Sequence, residues 1–204
     1  KSHVSKLIDM DVLVAVSHYT ASEIGRHLGV EKSKIKVIPN GVNAAFFSAK
    51  EELPVSLQLK NGKPYILSVS GKLKRKNLEI LPAFFKELRR QGIDYALVRA
   101  GAALPEPIRA ELEFILGDDL IEIGRCSDRE LAGLYQHAEL FVFPSLYEGF
   151  GLPVLEAMAA SCPVIASNTS SLPEVAGDGV ELFDPRCVEE MVSAAITTLN
   201  NRPK

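Results

Sequence analysis

Cysteine is scarce in this sequence. The 204 residues include three cysteines, Cys126, Cys162 and Cys187, and none of them forms a CxxC pair or accompanies paired histidines. This argues against a disulfide framework and against a zinc site. Because reduced thiols are typical of cytosolic proteins, we expect a cytoplasmic location.

An excess of charge of one sign and a long apolar run are also missing. The formal net charge is −3, which argues against a nucleic-acid-binding protein. No apolar run approaches the ~18 residues of a membrane span. No Asp-x-Asp pair is placed to hold Mg²⁺ against a nucleotide diphosphate, because Asp118 and Asp119 are adjacent in a turn. We therefore expect neither a metal nor a cofactor.

Strands and helices alternate along most of the chain. Short apolar runs predict strands at 11–17, 35–38, 65–69, 95–100, 120–123, 140–143, 164–166 and 180–183. Helical spacing of apolar residues predicts helices at 77–91, 105–116, 128–137, 154–160, 172–176 and 188–199, and an earlier one that begins at Thr20 or Ser17 and ends at Gly29. Residues 46–62 predict a polar linker. This rhythm predicts parallel βαβ units, and we assign a doubly wound α/β domain to about residues 42–199.

The stretch from Glu139 to Glu156 predicts a buried strand, a tight loop with two glycines and then a helix. Glycines let the backbone approach a ligand closely, and free N–H groups at a helix start favour negative charge. Glu148 and Glu156 are eight residues apart, so both carboxylates face one pocket if the helix begins early. Ionised carboxylates accept hydrogen bonds from sugar hydroxyls. The stretch therefore predicts an anionic or hydroxyl-rich ligand.

The segment Glu148-Gly-Phe-Gly-Leu-Pro-Val-Leu-Glu156 resembles the Glu-x7-Glu element of family 4, the retaining glycosyltransferases of GT-B fold. Four further segments resemble that family in its usual order: Asn40-Gly41-Val42, Lys76-Asn77, 163–167 and 171–175. The resemblance implies a Rossmann-like donor-binding domain. It also implies metal-independent transfer of a hexose, with retention, from a nucleoside diphosphate sugar to a glycan or lipid-linked acceptor. Mannose is our first candidate for the sugar, from general similarity to bacterial polysaccharide mannosyltransferases.

The resemblance also implies roles for single residues. Glu148 would contact the donor sugar and polarise the reacting centre, Lys76 would hold the diphosphate and Glu156 the ribose hydroxyls. Arg125 follows a strand where the family places the base. Backbone N–H groups of Gly149, Phe150, Gly151 and Leu152 would meet sugar and phosphate.

The chain departs from the family pattern near Lys76. The family has an arginine five or six residues before this lysine, whereas Ser70 and Gly71 stand here. We expect Lys72 to replace that arginine. The serines of 167–171 either line the sugar pocket or cap the next helix, and capping is favoured.

The resemblance divides the chain into 1–41, the tail of an N-terminal domain with its hinge, and 42–204, the donor-binding domain. Family members are about twice as long, so we expect a fragment that lacks most of its N-terminal GT-B domain and is inactive alone. The apolar run at 12–16 would then be exposed. Peripheral association with the inner face of the membrane is left open.

Other functions remain as alternatives. One is a sugar-nucleotide epimerase on the same fold, and another is a nucleotide-sugar-binding module without turnover. A dinucleotide-binding oxidoreductase is disfavoured because no GxGxxG follows a first strand.

Overall fold

The fold is a parallel α/β sheet with helices on both faces, preceded by a small two-stranded unit. The computed structural model of the protein describes residues 8–47, 53 and 62–201. Most of the predicted linker, 46–62, lies outside these residues. The predicted fold class, a doubly wound parallel sheet, is confirmed by the strand order and direction.

The strands are β1 (Leu13–Ala15), β2 (Ile35–Val37), β3 (Tyr65–Ser70), β4 (Ala96–Gly101), β5 (Leu120–Gly124), β6 (Leu140–Phe143), β7 (Val164–Ser167) and β8 (Glu181–Phe183). The helices are α1 (His18–Leu28), α2 (Leu81–Arg90), α3 (Glu106–Leu116), α4 (Asp128–His137), α5 (Leu152–Ala159), α6 (Leu172–Ala176) and α7 (Val188–Asn200). Single 3-10 turns at Lys74–Lys76 and Leu78–Ile80 connect β3 to α2.

The order of strands in the main sheet is β5-β4-β3-β6-β7-β8, and every pair is parallel. The chain proceeds outward from β3 to β5 and then returns to place β6 on the other side of β3. Ile66 pairs with Leu140, and Leu67 with Phe141, across this reversal. A crevice opens at the carboxyl ends of two strands where the strand order reverses. The loops that follow β3 and β6 therefore face each other.

Alternate side chains of the central strands enter two separate cores. Leu67 and Phe141 pack on one face with Tyr135 of α4. Ile66 lies on the opposite face, where α2, α3 and α7 cover the sheet, and packs with Phe84. All five are fully buried. Each such burial stabilises the fold by roughly 1.5–3 kcal/mol, and this holds both loops on a rigid base.

One predicted helix begins later than expected. The helix predicted at 77–91 starts at Leu81, after a left-handed Asn77 (φ 54°) and a 3-10 turn. Pro82 explains the difference, because its ring clashes with the carbonyl of Leu78 and it has no N–H to donate there. The helix caps agree better with the pattern: Ser17 caps α1, Gly29 ends it with φ 66°, and Ser127 forms a capping box on α4.

The N-terminal unit exposes apolar side chains, as predicted for the run at 12–16. β1 and β2 form a parallel pair beside α1. Val12 is 55% exposed, and Val14 and Ile38 are each 58% exposed.

Cys126, Cys162 and Cys187 are all free. Within the described ranges, no helix combines the length and apolar character needed to cross a bilayer.

Candidate functional site

A buried carboxylate lies at the carboxyl ends of β3 and β6, where the strand order reverses. Glu148 follows β6, and only 9% of its side chain is exposed. Its Oε1 lies 2.6 Å from the Nζ of Lys76, and its Oε2 lies 2.7 Å from Nη1 of Arg75. The Lys76 side chain is 11% exposed and its Nζ is 5.0 Å from the centroid of the Phe143 ring. The site thus holds two cations and one carboxylate, with net positive charge.

Backbone contacts join the two loops as well. The N–H of Leu146 donates to the carbonyl of Arg75 at 2.7 Å, and Nη1 of Arg75 donates to the carbonyl of Tyr147 at 3.0 Å. Arg75 is therefore oriented by the loop of residues 145–151, hereafter the 145–151 loop. Arg75 stands between Lys74 and Lys76 in the sequence, but no role was predicted for it, since its pairing with Glu148 is a contact across 73 residues.

Serine side chains from the segment between β7 and α6 hold the 145–151 loop in place. Ser171 is fully buried, and its hydroxyl lies 2.9 Å from the carbonyl of Glu148 and 2.8 Å from that of Phe150. The hydroxyl of Ser170 accepts from the N–H of Glu148 at 2.9 Å. The prediction that these serines cap the next helix was wrong for Ser171, which makes no side-chain cap on α6. The carbonyls of a buried loop need donors, and this need outweighs the cap.

The loop ends in a backbone conformation that suits glycine. Gly151 has φ 108°, and a Cβ there would lie 2.6 Å from Cδ2 of Leu172. α5 begins directly afterwards at Leu152, so Glu148 lies outside the helix. No described residue accepts a hydrogen bond from the N–H of Gly149 or of Phe150.

Glu156 lies on α5, apart from the Lys76–Glu148 pair. Its Oε2 is 3.3 Å from the hydroxyl of Tyr135 on α4. Burial raises the pKa of Glu156, and the hydrogen bond from Tyr135 opposes part of that rise. Glu148 and Glu156 share no hydrogen-bond partner among the described residues.

Lys72 and Arg125 lie further from the Lys76–Glu148 pair. Lys72 is exposed and lines a cavity of about 430 Å³ together with Pro105 and Ile108 of the β4–α3 side. Arg125 is exposed directly after β5, two strands from β3. Strands are about 4.8 Å apart, so it lies roughly 10 Å along the same edge of the sheet.

A second basic group, Arg99, lies beneath the carboxyl end of β3. The residue is 1% exposed, and its guanidinium donates to the hydroxyls of Ser68 and Ser70 at 3.0 and 3.2 Å. Burial lowers the pKa of Arg99 to about 10, and Glu122 opposes this. A single charged residue inside the apolar strand 95–100 was the signal available in the sequence.

Two family models match adjacent parts of the chain. The model described as glycosyl transferases group 1 matches residues 49–204. The chain belongs to the glycosyl transferases group 1 family. A model described as Glycosyltransferase Family 4 matches residues 5–46. The family named from the motifs is thereby confirmed.

Curated members of the glycosyl transferases group 1 type share about a third of the residues. The serotype-specific mannosyltransferase WbdA of Escherichia coli is 34% identical over 197 residues, which is 89% of this chain and 23% of that protein. The MMP alpha-(1->4)-mannosyltransferase of Mycolicibacterium hassiacum is 32% identical over 195 residues, which is 94% of this chain and 46% of that protein. The chain thus spans less than half the length of these relatives.

Solved structures agree with the fold of a glycosyl transferases group 1 domain. Alr3699/HepE of Anabaena, crystallised in complex with UDP and glucose, superposes with a TM-score of 0.80 at 17% identity. The superposition covers 97% of this chain and 57% of that one. At this identity the likeness shows the fold alone.

Proposed function

We propose that this chain carries the donor site of a retaining, metal-independent glycosyltransferase. The enzyme moves a hexose from a nucleoside diphosphate sugar to a glycan or lipid-linked acceptor. The observation that carries the proposal is the Lys76–Glu148–Arg75 cluster at the strand reversal. Mannose is the first candidate sugar because two relatives at 34% and 32% identity are named mannosyltransferases. Polysaccharide synthesis in the cytoplasm, at or near the inner face of the membrane, is the expected setting.

The cluster suits a leaving group that gains negative charge. Fixed cations in a poorly hydrated site stabilise charge that develops in a transition state. Lys76 and Arg75 are the cations proposed to meet the diphosphate. In the free protein Glu148 occupies both of them, so an arriving diphosphate competes with this carboxylate. Glu148 then turns to the donor sugar and polarises the reacting centre.

The remaining donor contacts follow the carboxyl edge of the sheet. The free N–H groups of Gly149 and Phe150, with those of Gly151 and Leu152, are proposed to bind sugar and phosphate oxygens. Glu156 is proposed to accept from the ribose hydroxyls.

Two basic residues complete the proposed donor site. Arg125 follows β5 on this edge and is proposed to contact the base. Lys72 is proposed to attract the diphosphate from a greater distance, since it lines the neighbouring cavity.

The division of the chain belongs to the same proposal. Residues 42–204 form the donor domain, and 1–41 are the tail of an N-terminal domain that binds the acceptor. What supports this is the meeting of the two family models between residues 46 and 49. Because the match covers 46% of the length of one relative, a donor-binding module without turnover is the second candidate.

Calorimetric titration tests the proposal. The protein is titrated with UDP, GDP and ADP, each with and without EDTA, and the titrations are repeated on Lys76→Met and Glu156→Ala. Lys74→Met is the matched control, because Lys74 lies in the same 3-10 turn and is exposed, whereas Lys76 is paired with Glu148. We expect one nucleotide to bind, EDTA to have no effect, and Lys76→Met to weaken binding roughly 10- to 150-fold, the loss of a charged hydrogen bond.

Three results would contradict the proposal. They are no binding by any nucleotide to the folded protein, binding that EDTA abolishes, and an equal loss for Lys74→Met. Incubation with the donor sugar and a supplied N-terminal domain then separates transfer from binding alone. A new nucleotide sugar formed without an acceptor would point to the epimerase instead.

A further inference from the structure

The first turn of α1 contacts the 145–151 loop through two hydroxyl groups. Ser17 donates to the carbonyl of Gly149 at 2.7 Å, and Thr20 donates to the same carbonyl at 2.8 Å. Ser17 is fully buried and also accepts from the N–H of Thr20 at 3.0 Å. A carbonyl oxygen has two lone pairs, so the acceptor capacity of Gly149 is filled from α1.

A carboxylate from α6 holds the same turn. Glu174 accepts from the N–H of His18 at 2.8 Å and from the N–H of Tyr19 at 3.2 Å. These are N–H groups that a helix start leaves without partners, and negative charge is favoured there. The ring of Tyr19 also meets that of Tyr147 edge-on, with centroids 5.6 Å apart. The 145–151 loop and α6 therefore both form hydrogen bonds with the first turn of α1.

The hydroxyl contacts fix a peptide group of the 145–151 loop. In a planar trans peptide the C=O and N–H point in opposite directions, and the described residues contain no cis bond. Because the carbonyl of Gly149 points at α1, the N–H of Phe150 points away from it. No described residue accepts from that N–H. Among the described residues, Ser17 and Thr20 supply the hydrogen bonds that hold the carbonyl of Gly149 in this direction.

We propose that Ser17, Thr20 and Glu174 are positioning residues that dock α1 on the 145–151 loop, so that the N–H of Phe150 is presented to the donor and the carbonyl of Gly149 is kept away. The donor part of this inference rests on the proposed function. Donor affinity then depends on a segment that touches no donor atom. The nearest alternative is a purely structural contact, which would stabilise the chain without altering the exposure of the loop amides.

Hydrogen exchange measured by mass spectrometry tests the docking without any ligand. Thr20→Val removes the hydroxyl at nearly constant shape, Thr20→Ser retains it, and Ser22→Ala is an exposed control on the same helix. We expect Thr20→Val to speed exchange in peptides covering 145–152 and to leave peptides from β3 unchanged. Thr20→Ser and Ser22→Ala should match the wild type. Unchanged exchange in 145–152, or an equal rise throughout the chain, would overturn the proposal.

The donor part is tested with the nucleotide that binds the wild type in calorimetry. Thr20→Val and Glu174→Gln should each weaken its binding about two- to tenfold, the effect of one hydrogen bond, and Thr20→Ser should restore it. Unaltered affinity in both variants overturns the positioning role. If no nucleotide binds the wild type, the proposed function fails, while the exchange experiment still decides whether α1 is docked.

Discussion

The Lys76–Glu148 pair makes a quantitative prediction about stability. Removing one partner of a buried ion pair leaves the other charge buried and costs about 3–5 kcal/mol. In Lys76→Met the carboxylate, 9% exposed, keeps only Arg75, which is 41% exposed and therefore more screened by water. Because this partner remains, we expect the lower end of that range, about 3 kcal/mol.

Substitution of the other partner, Glu148→Gln, should lower the free energy of unfolding by less. Glu148→Gln leaves Lys76 without its carboxylate, but the Phe143 ring stays within 5.0 Å and the ammonium has a flexible stem that reaches water. We expect Glu148→Gln to lower the free energy of unfolding by about 1 kcal/mol, and Lys76→Met with Glu148→Gln to lower it by about 2 kcal/mol. The two single losses together are about 4 kcal/mol, so the coupling energy between the two side chains is about 2 kcal/mol.

Urea unfolding at low salt measures all four proteins. The slope of the free energy of unfolding with urea should be unchanged, since the folded state is the same. Lys74→Met is the control and should stay within about 0.5 kcal/mol of the wild type, as exposed substitutions do. A coupling energy below about 0.5 kcal/mol would refute the view that the pair is a buried, energetically linked unit.

Three further predictions concern the surrounding groups. Burial raises the pKa of Glu156, so the folded state favours its neutral form. The contribution of Glu156 to the free energy of unfolding should therefore be full below its unfolded pKa and should decline as pH rises through its folded pKa. Unfolding midpoints measured against pH should show this decline for the wild type and not for Glu156→Gln. Gly151→Ala should destabilise by about 1–3 kcal/mol through strain and overlap with Leu172, whereas Gly92→Ala, at φ 77° with open space, should show strain alone in thermal unfolding. Ser171→Ala leaves two loop carbonyls without a donor and should cost about 1–3 kcal/mol in urea unfolding, while equality with the wild type would contradict the contact.

Strands and helix ends that depend on residues close by in the chain could be predicted from the sequence. The apolar runs of β3, β4 and β6 and the caps at Gly29 and Ser127 depend on residues within one or two turns, and the structure agrees with them. The start of α2 was misplaced because the apolar spacing continues through 77–80, whereas Pro82 prevents a regular helix there.

Contacts across the sheet were not predictable in this way. The sequence singled out Glu148 and Lys76, but the pairing of Arg75 with Glu148 depends on how two loops meet at the strand reversal. The hydroxyl of Ser171 was assigned to a cap because local geometry offers one, and its actual acceptors lie 21 and 23 residues away. The approach of Ser17 to Gly149 spans 132 residues, and no local pattern encodes it.

The burial of Arg99 affects how the electrostatic potential around it depends on salt concentration. Exposed charges are screened by dissolved ions over about 8–10 Å, and a charge within the protein is screened much less. Arg99 as a residue is 1% exposed, while the side chain of Arg75 is 41% exposed. As ionic strength rises, the attraction that Arg75 exerts on anions fades first. The carboxyl edge of β3 and β4 therefore keeps part of its positive potential in concentrated salt.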